Sequence, residues 1–170
     1  RWLDALLVSV GLASLAAVVT TAVSMMAALA IARSRSRLAA AFEGLVLAPL
    51  IFPHAALGMA MVALAALFHI YGTFAGLLLA HCIITLPFAY RPISVGLRKL
   101  DPSLEEAAMS LGSQPWNTFL TVTLPLMQPG IVTALLFSFI ISFDEVTISM
   151  FLIGPEITTL PVSIYSYIQE

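Results

Sequence analysis

The chain has 170 residues, of which 61% are hydrophobic and only 9% charged, with a formal net charge of −2. Its mean hydropathy is +1.04. Soluble domains carry about 25% charged residues, so this composition excludes a water-soluble globular domain and describes a bilayer protein. The single cysteine, Cys82, excludes an internal disulfide framework.

Charge-free stretches set the spans. Ala5 to Ala32 and Gly44 to Tyr90 carry no formal charge, and a helix crossing the hydrocarbon needs roughly 20 residues. The first stretch holds one span, about 5–32. It is longer than the roughly 7–15-residue apolar core of a signal peptide, and no A-x-A site stands out. The second holds two spans, about 45–68 and 74–90, with a turn at "HIYGTFAG", where Gly72 interrupts the apolar run. Pro53 is expected to kink the earlier of these two. Small residues in "GMAMVALAA", Gly58 to Ala66, allow close helix packing. A fourth span is expected at about 130–153, between "QPG" and "GPE", and the start of a further one from about 160. The chain begins without an initiator methionine and stops inside an apolar run, as expected of a fragment.

Basic residues orient the spans. Arg33, Arg35 and Arg37 follow the first span, and Arg91, Arg98 and Lys99 follow the third. The turn around Gly72 and the loop at Gly154–Thr159 have no Lys or Arg. Positively charged loops stay cytoplasmic. Arg35 and Lys99 are therefore expected inside, Gly72 and Glu156 outside, and residues 91–128 form a cytoplasmic loop. The "RSRSR" run reads as a topology anchor in preference to a lipid-specific site.

That loop contains "LEEAAMSLGSQPWNTFLTVTLPL", Leu104 to Leu126. Asp101-Pro102 suits an N-cap followed by proline at the first helical position. Ser103 with Glu106 offers a capping box one step later. Glu105 and Glu106 fall near the helix N-terminus, where carboxylates are favoured. Gly112 suits a left-handed C-cap. A second short helix starts ahead of Pro115 and is expected to end at Leu124-Pro125. The result is a helix–glycine–helix elbow. Its acids and apolar side chains fit either a docking element for a basic groove or an interfacial helix lying on headgroups.

Glu106-Ala107-Ala108, Gly112 and Val122-x-Leu124-Pro125, with three and nine residues between them, resemble the EAA loop of inner-membrane permeases of bacterial ATP-binding-cassette importers. Val122 stands where the family has isoleucine. The resemblance implies an all-α polytopic transmembrane helix bundle of the type I importer kind, here a fragment of a six-span subunit of a bacterial inner membrane. It implies that the loop is a coupling helix. Glu105, Glu106, Ala107, Ala108, Gly112, Leu124 and Pro125 would then form the contact with a separate ATPase subunit that binds the ATP. A second permease subunit, identical or not, and a periplasmic or lipid-anchored solute-binding protein are the other implied partners, alongside membrane lipid and with no nucleic acid. The stretch "SFDEVTISMFLIGPEITTLPVSIYSY", Ser142 to Tyr167, resembles spermidine/putrescine-type permeases. That implies a polyamine or similar small cation as solute; ferric-iron, phosphonate or amino-acid-type permeases are alternatives.

Asp144 and Glu145 are the only carboxylates inside an expected span, and intramembrane acids usually face a bundle interior or wet cavity. Ser138, Ser142, Glu145 and Ser149 step by four, three and four into one polar stripe. These groups line a translocation path, or else they hydrogen-bond between spans or cap a broken helix. His54, His69 and His81 have no metal-ligand spacing and read as helix-contact or interfacial residues. No G-x-x-x-x-G-K-[ST] phosphate loop is present, and no cofactor or catalytic set is expected in this chain. An ion-coupled carrier, a channel or an intramembrane enzyme is the competing reading, and none of these needs an ATPase dock.

Overall fold

The computed structural model describes residues 2–34, 36–155 and 157–169. Arg35 and Glu156, used above for orientation, lie outside the described residues. Among the described residues the helices run in chain order: α1 (Trp2–Arg33), α2 (Arg37–Leu47, prolonged by a tighter turn at Ala48–Leu50), α3 (His54–Leu67), α4 (Phe74–Lys99), α5 (Pro102–Ser110), α6 (Pro115–Leu126), α7 (Gln128–Asp144), α8 (Thr147–Leu152) and α9 (Leu160–Gln169). No strand occurs among them. Helices α1 and α4 are each long and apolar enough to cross a membrane. Two bent pairs, α2 with α3 and α6 with α7, raise the number of candidates to as many as four.

Helices α1, α4 and α7 pack together as a three-helix core. Their pattern inverts that of a soluble bundle. The buried side of α1 carries Ala13, Ala16, Ala17, Thr20, Ser24 and Ala27, while Leu3, Leu7, Val18 and Met26 point outward. On α7 the buried residues are Ala134, Ser138 and Ser142, with Val132, Leu136, Phe137 and Ile140 outside. Lipid is as apolar as leucine, so small residues that let backbones approach are the ones placed between helices. Thr20 and Thr85 join α1 to α4 through a 3.0 Å hydroxyl–hydroxyl bond. Gly130 marks a close crossing of α7 with α4, since a Cβ there would lie 2.9 Å from the Pro92 carbonyl oxygen.

Apolar clusters fill the two ends. One gathers Ala27, Ala28, Val46, Tyr90, Ile93 and Met127. The other gathers Leu12, Ala65, Leu77, Ile84, Ile148 and Leu152.

The structure departs from the expected spans in three places. Residues 45–68 are not one kinked helix, because the chain turns by 109° between Leu50 and His54. Pro49 and Pro53 each remove a backbone donor, and Pro53 drives the preceding residue away from helical geometry. Four residues apart, the two prolines end one helix and start another. The helix expected at 74–90 continues to Lys99 despite Pro87 and Pro92. Burial of Ile93 and of most of Ser94 against neighbouring helices continues that face past Tyr90, and Arg98 and Lys99 sit in the last turn, where the helix dipole favours cations. The helix expected at 130–153 is interrupted, with α7 ending at Asp144 and α8 resuming at Thr147. Glu145 is extended there, at φ −75° and ψ 111°.

The backbone contact at Gly130 generates a stability prediction for the full-length subunit. Gly130→Val forces α4 and α7 apart, at a cost of about 1–3 kcal/mol, and thermal unfolding in detergent shifts to clearly lower temperature. Gly96→Ala, whose added carbon lies 4.0 Å from the Gly130 Cα, leaves the unfolding midpoint nearly unchanged.

Candidate functional site: the α5–α6 elbow and the helix breaks

The elbow is built by local rules. The Asp101 side chain accepts the Ser103 N–H at 2.9 Å and caps α5, with Pro102 at its first position. That bond holds the Asp101 carboxyl below its usual range, so the cap is charged at neutral pH and is lost only as pH falls through this depressed value. The Ser103–Glu106 capping box is not the one used, since the Ser103 N–H is already given to Asp101 and Glu106 is exposed. At the far end Gly112 adopts φ +90°. Its N–H bonds to Met109 O at 3.0 Å, and the Ser113 N–H bonds to Ala108 O at 3.1 Å. This paired closure is the one a left-handed glycine permits.

Helix α6 does not end at Leu124-Pro125. It runs through a widened π turn at Phe119–Thr123 and on to Leu126. Proline lacks the N–H and crowds the carbonyl four residues back. The widened turn just before it relieves that crowding. Met127, fully buried, then bends the chain by 66° into α7.

The two carboxylates of the elbow separate in role. Glu105 is half-buried and accepts a hydrogen bond from the Thr123 hydroxyl, closing α5 onto α6. It also borders a cavity of about 600 Å³ shared with Arg33, Tyr90, Ser94, Arg98 and Asp101. Glu106 and Ala107 face outward, while Ala108 is half-buried. Around Glu106 the exposed apolar residues are Leu104, Met109, Leu111 and Trp116, and Trp116 stacks on Phe119 with ring centroids 5.7 Å apart. Leu124 is half-buried, and Pro125 is exposed. No neighbouring atom comes within 4 Å of a Cβ built on Gly112, so the tip of the elbow is open.

The polar stripe of α7 and α8 is sealed. Ser138, Ser142, Glu145 and Ser149 are all buried, so in this structure the serines face neighbouring helices. His81 on α4 reaches both sides of the α7–α8 break, with Nδ1 2.8 Å from Ser142 Oγ and Nε2 3.0 Å from Ser149 Oγ. The Ser149 hydroxyl donates to the Glu145 carbonyl at 2.8 Å, so it accepts from His81 Nε2–H. His81 Nδ1 then accepts from Ser142. Glu145 takes the Ile148 N–H on Oε1 at 2.9 Å and lies 3.1 Å from His54 Nδ1 through Oε2. Its surroundings are those of a helix cap and a helix contact. Ser138 Oγ is buried with no partner among the described residues. Asp144 is exposed, and among the described residues it makes no hydrogen bond or ion pair.

A family model described as "Binding-protein-dependent transport system inner membrane component" matches residues 6–169. The chain belongs to this family. It is 37% identical to the putrescine transport system permease protein of Escherichia coli strain K12, over 98% of this chain and 63% of that protein. It is 32% identical to the molybdenum transport system permease protein of Azotobacter vinelandii, over 98% of this chain and 81% of that protein. The chain thus spans just under two thirds of the putrescine permease's length. A solved amino acid ABC transporter crystallised with histidines has the same fold, with a TM-score of 0.71, 19% identity, and coverage of 99% of this chain and 79% of that one. These relatives are transport permeases, and the architecture is the type I ABC permease fold.

What the sequence did not show is which groups His81 and His54 meet. His81 and His54 carry no local pattern. Their partners lie 61 and 68 residues away for His81, and still farther along the chain for His54. The serine stripe was the one available signal, since buried hydroxyls need a donor or acceptor opposite.

Proposed function

We propose that this chain is a membrane-spanning subunit of an ATP-driven importer, multi-pass in the inner membrane, which forms part of the solute path and couples to a separate ATPase through residues 101–125. The observation that carries the reading is the elbow. It offers an outward carboxylate, Glu106, among exposed apolar side chains, on a tip shaped by Gly112. A groove-docking helix needs both parts: apolar anchors for affinity and a charge for orientation. ATP is bound and hydrolysed by that partner. A second permease subunit and a solute-binding protein complete the assembly.

Coupling is tested in the full-length subunit co-expressed with its ATPase. Glu106→Lys inverts the contact charge, and Gly112→Val strains a left-handed position by about 1–2 kcal/mol. Both variants insert in the membrane, and both lose ATPase co-purification or solute-stimulated hydrolysis. Wild-type behaviour of both variants rejects the coupling role.

The orientation that goes with this function has Arg33, Arg98, Lys99 and the elbow in the cytoplasm and Gly72 outside, following the distribution of basic residues. In a Cys82→Ser background, Gly72→Cys is labelled by an impermeant maleimide in intact cells, and Lys99→Cys only after permeabilisation. The opposite pattern overturns the orientation.

The solute is a polyamine or similar small cation. Support comes from the similarity to a putrescine permease and from Asp144, an exposed carboxylate at the end of α7. Since Glu145 is committed to the Ile148 cap, Asp144 is the acid free to meet a cation. The molybdenum permease relative favours a second reading, a molybdenum-containing solute. Asp144→Asn, matched for expression, lowers putrescine uptake severalfold. Unchanged putrescine uptake by the variant rejects the Asp144 contact, and uptake of molybdate in place of putrescine by the unmutated complex rejects the cation assignment.

A further inference from the structure

The cavity beside the elbow is formed by the ends of α1 and α4 and the start of α5. Its volume of about 600 Å³ falls within the roughly 300–1,000 Å³ of small-molecule sites. The walls are of two kinds. Leu29, Ile31, Ala32 and Leu97 make an apolar side, and Arg33, Arg98, Asp101 and Glu105 make a charged one. In the chain one kind follows the other directly, since Ala32 precedes Arg33 and Leu97 precedes Arg98. The charged groups are not equivalent. Arg98 Nη2 donates to Glu43 Oε1 at 2.9 Å, and the Tyr90 hydroxyl donates to the same oxygen at 3.1 Å. Arg98 is thereby held in place with its charge balanced. Arg33, the first arginine of the RSRSR run, is exposed and makes no ion pair among the described residues. It also lines a smaller cavity of about 210 Å³ with Glu105, Pro115 and Phe119. Arg33 therefore stands where the larger cavity meets the elbow.

We propose that this cavity binds a phospholipid of the cytoplasmic leaflet whose head joins a phosphodiester to a primary ammonium. Arg33 takes the phosphate, Asp101 and Glu105 take the ammonium, and an acyl chain lies along Leu29, Ile31 and Leu97. A guanidinium with no carboxylate partner is suited to a phosphate, which it binds through two parallel N–H bonds. Basic pockets between spans on the cytoplasmic side bind lipid heads by the same chemistry. The two carboxylates on the same cavity select among heads. A head with negative charge alone meets repulsion from Asp101 and Glu105, and a quaternary ammonium has no N–H to give them. A phosphate with a primary ammonium satisfies both signs. The apolar side requires a tail, which separates a lipid from a free phosphate ester. Such a lipid touches α1, α4 and α5 at once and braces the elbow against the core. The leaflet rests on the orientation given with the importer reading, whereas the contact itself needs no ATPase.

The test reconstitutes the full-length subunit with its ATPase in nanodiscs of equal parts phosphatidylethanolamine, phosphatidylcholine and phosphatidylglycerol. Lipid that stays bound after transfer to detergent is identified by native mass spectrometry. Phosphatidylethanolamine is retained severalfold over the other two. Arg33→Gln removes the phosphate contact at an exposed position, and Ala32→Trp fills the cavity; each lowers that enrichment severalfold. Lys99→Gln removes a nearby cation that lines neither cavity and leaves the enrichment unchanged. Equal retention of the three lipids, preference for phosphatidylglycerol, or an equal loss in Lys99→Gln overturns the proposal. Displacement of the lipid by soluble glycerophosphoethanolamine at matched concentration assigns the site to a free head and overturns it as well. Glu106 lies outside the cavity, so Glu106→Lys keeps the bound lipid even where it loses the ATPase. Failure of coupling and failure of lipid binding are thereby told apart.

Discussion

How closely α4 can approach α1 and α7 governs the rest of this structure. In lipid an apolar side chain gains little by leaving the surface, so the usual driving force between helices is weak. What remains is dispersion between surfaces in contact and hydrogen bonds between hydroxyls, and both demand short distances. The alanines of α1, the Thr20–Thr85 bond and the Gly130–Pro92 crossing are three forms of that demand. Large residues are displaced to the outside because the close interface has no room for them.

The same closeness explains the treatment of polar groups. A buried hydroxyl in an apolar medium needs a partner, and none is supplied by solvent. Ser142, His81, Ser149 and the Glu145 carbonyl form one directional chain of donors and acceptors across the α7–α8 break. The Glu145 carboxylate satisfies Ile148 N–H, one of the orphan donors that a restarted helix exposes. An interrupted helix is tolerated at membrane depth where such partners are present, and here they come from within the chain.

The elbow is joined to this core without slack. Glu105 closes α5 onto α6 through Thr123, and buried Met127 sets the 66° angle between α6 and α7. A force applied at Glu106 or Leu111 is therefore carried into α7 by packed side chains and continuous backbone, with no flexible linker between. This is the mechanical property that the proposed coupling role requires.

Sequence alone carried the features that depend on neighbours within a few residues. Composition marked a bilayer protein, Asp101-Pro102 and Gly112 marked the two ends of α5, and the EAA-type spacing pointed to the family. Each rests on local backbone chemistry or on solvent preference, which a short window contains. The 109° turn at Pro53 was legible only as a kink, because a proline removes one bond wherever it stands and the surrounding packing sets the angle. The continuation of α4 past Tyr90 and of α6 past Pro125 likewise depended on burial that no window shows. The serine stripe was visible, but its meaning was not. Whether Ser142 and Ser149 faced water or an imidazole was decided by where α4 lay, and His81 is brought to them by helix packing across more than sixty residues of chain. The pairing of His54 with Glu145 has the same origin: two breaks remote in sequence meet only once the helices are assembled.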